Sequence, residues 1–191
     1  MADWQTFAAA APSLADRVRT RFTSAESHIL ATLRRDGSPR VSGSEVNFQG
    51  TSLYIGSMSN AVKARDLLRD PRFALHAHPG DPTTDGDAKL AGLATEVTDP
   101  VLVAQIVGGG EQSGGEPGGG EGSGGEGSGG EQGGGEQAVE EQSHLFHLDI
   151  REAALTWVAD NTLFVESWKE GRGLVRFARP DNGPAIRTDL D

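Results

Sequence analysis

The stretch GSMSNAVKARDLLRDPRF, residues 56–73, places a lysine in the first turn of an expected helix that begins near Ser59 or Asn60. A helix N-terminus is already electropositive, because its first N–H groups lack intrahelical acceptors and the macrodipole adds to them. A cation such as Lys63 is mildly unfavourable there unless an anion lies beside it, and the pairing suits a phosphate. The plainer reading is that Lys63 points to water. Two histidine pairs are the other candidates. His76 and His78 fall on one face of an expected strand, a spacing that can present two metal ligands, but no third ligand is nearby. His144 and His147 would face opposite ways in a strand. The chain carries no G-x-S-x-G, H-E-x-x-H or Walker sequence and no cysteine, so thiol chemistry, disulfides and cysteine metal sites are excluded. A chain with a phosphate-type site and no evident nucleophile fits chemistry carried by a bound cofactor.

Length and composition restrict the class further. The 191 residues suit one domain. The net charge of −11 argues against bulk binding to nucleic acid or anionic membranes. No apolar run approaches a membrane span. FAAAAPSLA lacks the basic leader and apolar core of a signal peptide, so a cytoplasmic location is expected. Lysine is scarce, at Lys63, Lys89 and Lys169 only.

Residues 108–137 are six pentapeptides of the form [GS]-G-G-E-[QPG], with glutamates from Glu111 to Glu136 at a strict spacing of five. No helix or strand has that period, and glycine opposes both structures. The segment is expected to be a disordered, self-repelling loop inserted in one domain formed by residues 1–107 and 138–178. Residues 179–191 lack an apolar pattern and are expected to be a disordered tail.

The remaining elements follow from periodicity. A helix is expected over 13–22, with Leu14, Val18 and Phe22 on one stripe and Ser13 as its cap. Strands are expected over 28–34, 40–48, 53–58, 72–78, 88–97, 144–150 and 153–168, with a last short one in GRGLVRF. Asp36-Gly37 signals a hairpin, and Asp160-Asn161 marks another turn. Short helices fall at 60–69 and from Pro100 to about Val107. Seven or so strands in hairpins with small helices suggest an antiparallel barrel.

The run HILATLRRDGSPRVSGSEVNFQGTSLYIGSMSNAVKARDLLRDPRFALH, followed by GDAKLAGLATEV, resembles the pyridoxamine 5'-phosphate oxidase-like family of flavin-binding split barrels. The resemblance rests on the order of hairpin, third strand, lysine-bearing helix, DPR and fourth strand. It implies a mainly β fold, a six-stranded antiparallel split β-barrel with short flanking helices, and a homodimer with the cofactor in a groove between subunits. It implies that Ser57 and Lys63 hold the cofactor phosphate, with Asn60 and Ala61 opening the helix that faces it. Arg40 stands where the oxidases use an arginine. Lys89 joins the cofactor-binding set, and Trp168 and Arg172 are expected to cover the cofactor from the partner subunit. The sequence departs from the oxidases at Glu45, where they carry a lysine, and in GRGLVRFARP, which lacks their arginine-histidine pattern. PRVSGSEVNF is closer to the branch that uses a deazaflavin. The resemblance thus implies an oxidoreductase that binds FMN or coenzyme F420 and passes hydride to or from a small organic substrate. The alternative is a split barrel that binds flavin or haem without turnover.

Overall fold

The computed structural model describes residues 3–107 and 143–190, and the glycine-glutamate repeat lies outside the described residues. In chain order the elements are α1 (Trp4–Ala10), α2 (Pro12–Thr23), β1 (His28–Leu33), β2 (Pro39–Ser44), β3 (Val46–Gln49), β4 (Ser52–Ser57), α3 (Val62–Arg69), β5 (Arg72–His76), β6 (Asp87–Glu96), α4 (Pro100–Val107), β7 (His144–Ala159), β8 (Thr162–Lys169), β9 (Gly173–Pro180) and β10 (Ile186–Leu190).

Every ladder is antiparallel. β2 pairs with β1, β1 with β5, β5 with β6 and β6 with β7. β7 also pairs with β4, and β4 with β3. The second expected strand is bent at Glu45 into β2 and β3, so one half pairs with β1 and the other with β4. Counted with β2 and β3 as one bent strand, six strands curl round a core without a continuous closing ladder. This is the split barrel. The long strand β7 carries an extra residue at Arg151, opposite the step from Ala91 to Gly92, and continues into β8 through Asp160-Asn161. Both turn residues have positive φ, 48° and 55°, as a tight hairpin turn of this hand requires.

The interior is filled by Leu30, Leu53, Ile55, Leu75, Leu90, Phe146, Leu148 and Ile150, all at most 1% exposed. α2 packs Leu14, Val18 and Phe22 over one flank, as its stripe predicts. Its cap differs from expectation. Ala11 precedes Pro12 at the first turn and no side chain caps the helix. Proline needs no acceptor for a missing N–H, so the cap is dispensable there. α1 has no counterpart in the sequence reading. Three of its seven residues are alanine, and it shows too short a stripe to read. Asp3 caps it at Thr6 N (2.8 Å), and Trp4 and Phe7 enter the core.

The last residues form structure, contrary to the expected disordered tail. β10 pairs with β9 from Ile186 to Leu190. Four of its five residues are exposed, so its sequence shows no apolar alternation. Backbone pairing alone places it. The fourth strand stops at His76, short of the expected His78, whose backbone N–H donates to His28 Nδ1 (3.1 Å).

His28 is 2% exposed beneath Phe22. Burial pushes its imidazole below the ordinary value of 6.5. The charges of His78 and Arg21 push the same way, and the nearby backbone carbonyls of Phe22 and Ala25 oppose them. The folded state therefore favours the neutral ring. This contribution is complete above the unfolded value and is lost as pH falls towards the folded one. His28→Asn, which keeps an acceptor for His78 N–H, is expected to flatten the fall in stability between about pH 7 and 5, measured by denaturant titration. An unchanged slope would assign that fall to other groups.

Candidate functional site

α3 is fixed by a buried carboxylate. Asp66 Oδ2 accepts from Arg40 Nε on β2 (2.6 Å) and from Thr32 Oγ1 on β1 (3.1 Å), while Oδ1 accepts from Arg69 (3.0 Å). Burial alone would raise this carboxyl, but the bonds from Arg40, Arg69 and Thr32 outweigh it and hold the group below the usual carboxylate range. Arg69 also donates to the carbonyl of Leu33. These bonds lash the helix to the first hairpin and so set the position of its N-terminal turn.

That turn begins later than expected. Asn60 has φ 58°, a left-handed conformation that asparagine tolerates but a helix does not. Ala61 is therefore the N-cap and Val62 the first helical residue. The N-cap residue, Ala61, gives α3 no side-chain cap. Lys63, in the second helical position, reaches back to β2 and donates to the Gly43 carbonyl (2.9 Å) and towards Ser44 Oγ (3.4 Å).

Ser57, Ala61 and Lys63 line one cavity of about 510 Å³. Its other walls are the β2–β3 bend at Ser44 and Glu45, and Ile106 and Val107 of α4. Ser57 is buried, and its Oγ finds no hydrogen-bond partner among the described residues. A buried hydroxyl left in this state is costly. Burial lowers the pKa of Lys63, and the neighbouring charge of Glu45 only partly opposes it. The cavity thus presents an unpaired hydroxyl and a desolvated ammonium beside a helix start, and an anion would satisfy both groups. A phosphate fits this donor set.

The structure brings Ser57, Ala61 and Lys63 together and scatters the other expected site residues. Arg40 is engaged with Asp66 and does not line this cavity. Asn60 is exposed at the turn before it. Lys89 lies on β6 against a separate shallow cavity of about 350 Å³, with Ile29, His76 and Glu152. Trp168 is a core residue, 3% exposed, with its ring 5.0 Å from that of Phe7; α1 covers it. It is therefore not available to cover a cofactor on a partner. Arg172 is exposed in the β8–β9 turn. His76 Nδ1 lies 2.6 Å from the Ala77 carbonyl, and His78 lies off the strand, so the two do not share a strand face. No group of three or more potential metal ligands occurs among the described residues. Sequence reasoning missed Asp66, whose partners lie up to 34 residues away, and the pair of His144 with Glu96. Neither carries a local signal.

The model of the family described as pyridoxamine 5'-phosphate oxidase matches residues 14–155. With three quarters of its length matched, the chain belongs to the pyridoxamine 5'-phosphate oxidase family. Solved structures agree on the fold. A pyridoxamine 5'-phosphate oxidase-related, FMN-binding protein from Nostoc punctiforme is 15% identical; the match covers 100% of this chain and 98% of that one, with a TM-score of 0.50. A candidate pyridoxamine 5'-phosphate oxidase from Listeria innocua is 13% identical over 73% of this chain and 95% of its own, with a TM-score of 0.53. A conserved hypothetical protein from Mycobacterium tuberculosis is 16% identical over 72% and 81%, with a TM-score of 0.51. At such identities the likeness is one of fold, the FMN-binding split barrel. No curated protein is significantly similar in sequence. Among the described residues no helix is long and apolar enough to cross a membrane.

Proposed function

We propose that the cavity at Ser57 and Lys63 holds the phosphate end of FMN or of coenzyme F420, and that the chain is an oxidoreductase acting on a small organic substrate. The observation that carries this reading is the buried Ser57 hydroxyl without a partner, in the same cavity as a desolvated lysine. Ser57 would donate its O–H to a phosphate oxygen, Lys63 would neutralise the charge, and the first N–H groups of α3 would point at it. The bound flavin-type ring supplies hydride transfer. The barrel contributes position and exclusion of water. Glu45, in the same cavity wall, repels a phosphate and weakens this grip.

A homodimer forms part of this reading. The outer face of the sheet presents Ile29, Ala31, Ala74 and Ala91 around the shallow cavity at Lys89. Small apolar residues on a flat sheet suit a second copy of the chain. Sedimentation equilibrium at micromolar concentration is expected to give twice the monomer mass.

Fluorescence titration with FMN and with riboflavin, which lacks the phosphate, tests the cofactor site. FMN is expected to bind at least about tenfold more tightly, the worth of a charge-assisted contact. Equal affinity would remove the phosphate site. Photoreduction of the bound flavin followed by reoxidation with candidate acceptors separates an enzyme from a carrier. Glu45→Lys is expected to strengthen FMN binding relative to coenzyme F420, through a new cation at the cavity wall. If both affinities stay put, Glu45 does not face the bound anion.

A further inference from the structure

A third cavity, of about 470 Å³, lies between α4 and the facing ends of β6 and β7. It shares Val107 and Ser143 with the anion cavity. Pro100, Val103, Ala104 and Val107 give it an apolar wall, and Thr98 and the His144–Glu96 pair give it a polar end. His144 Nδ1 lies 2.7 Å from Glu96 Oε1. His144 is the cross-strand partner of Ser57, and its ring stacks on Phe146.

The pair dictates what this end of the cavity recognises. A carboxylate facing Nδ1 holds the proton on that nitrogen, so Nε2 of the neutral ring is an acceptor. No described residue engages Nε2. Glu96 on β6 is the charged group beside the ring. The described α4 sequence PVLVAQIV carries no charge, and Ser57 faces it from β4. Asp99, ahead of α4, is spent on capping Val101 N (2.9 Å). An anionic ligand would meet Glu96 unfavourably. A neutral ligand with an apolar body and one acidic O–H meets an acceptor and an apolar wall.

We propose that this cavity binds a small, neutral hydroxyl compound of the phenol or enol class, whose O–H donates to His144 Nε2. The inference goes beyond the cofactor reading and does not require it.

Phenol tests it, because at about pH 8 an ordinary phenol and an ordinary imidazole are both neutral. Titrated into the full chain at that pH and followed by calorimetry, it is expected to bind saturably. Anisole, which lacks the O–H, is expected to bind at least about tenfold more weakly, as are complexes of phenol with His144→Phe and with Val103→Trp, which fills the cavity. Circular dichroism checks that both variants fold. Absence of saturable binding, equal binding of anisole, or binding that survives both the His144 and the Val103 change would overturn the proposal. None of these results bears on FMN affinity, which is read separately.

Discussion

Lys63→Ala lowers the affinity for FMN about 10- to 150-fold, equivalent to ~1.5–3 kcal/mol, the range for a lost hydrogen bond to a charged group. The expectation follows from where the ammonium lies. It sits in the first turn of α3, in the same cavity as a buried hydroxyl without a partner, and burial makes its charge less comfortable than in water. Its present partners are a backbone carbonyl and a weakly placed hydroxyl on β2. They hold the chain end in the cavity without neutralising it. The same substitution should cost the free protein little, because Lys63 is only half-buried and the Gly43 carbonyl can turn to water. Isothermal calorimetry on the variant and the parent gives both numbers. An unchanged FMN affinity would place the phosphate elsewhere.

Gly92→Ala destabilises the fold by about 3 kcal/mol or more, the upper part of the range for overpacking a rigid site. A Cβ built on Gly92 would lie 1.8 Å from the carbonyl oxygen of Asp149 and 2.9 Å from its carbonyl carbon. Both are backbone atoms in a ladder, so no rotamer change relieves the clash. The site is also where β7 carries its extra residue, Arg151, which bends the strand so that its first half pairs with β4 and its second half with β8. Relief would require the bulge to shift. That would move the end of β7 bearing His144, and with it the wall shared by the two cavities. For a domain of this size the loss corresponds to roughly 6–12 °C in Tm. Thermal unfolding followed by circular dichroism measures it, and a variant with parental Tm would mean that the bulge is free to slide.

The barrel was legible because its strands alternate and its turns carry specific chemistry. Asp36-Gly37 and Asp160-Asn161 both form the hairpins their residue types favour. Strand faces were less legible. Ile29, Ala31 and Leu33 make one wholly apolar row of β1, yet the interior receives His28, Leu30 and Thr32 from the other row. A strand apolar on both sides has no period that names its inner one. Trp168 shows how one missed element displaces another. Without α1, nothing in the sequence covers that indole, so an exposed role seemed open to it. Arg40 was misplaced because its partner, Asp66, is brought to it by the packing of α3 on the first hairpin, 26 residues away. Ser57, Ala61 and Lys63 are neighbours in the chain, at a strand end followed by a helix start, so their sharing of one cavity was legible locally.

The most direct test is a crystal structure of the protein with FMN bound. A phosphate oxygen is expected within hydrogen-bonding range, about 2.6–3.2 Å, of both Ser57 Oγ and Lys63 Nζ. A phosphate seated away from these two atoms, with the Ser57 hydroxyl still unpaired, would contradict the account.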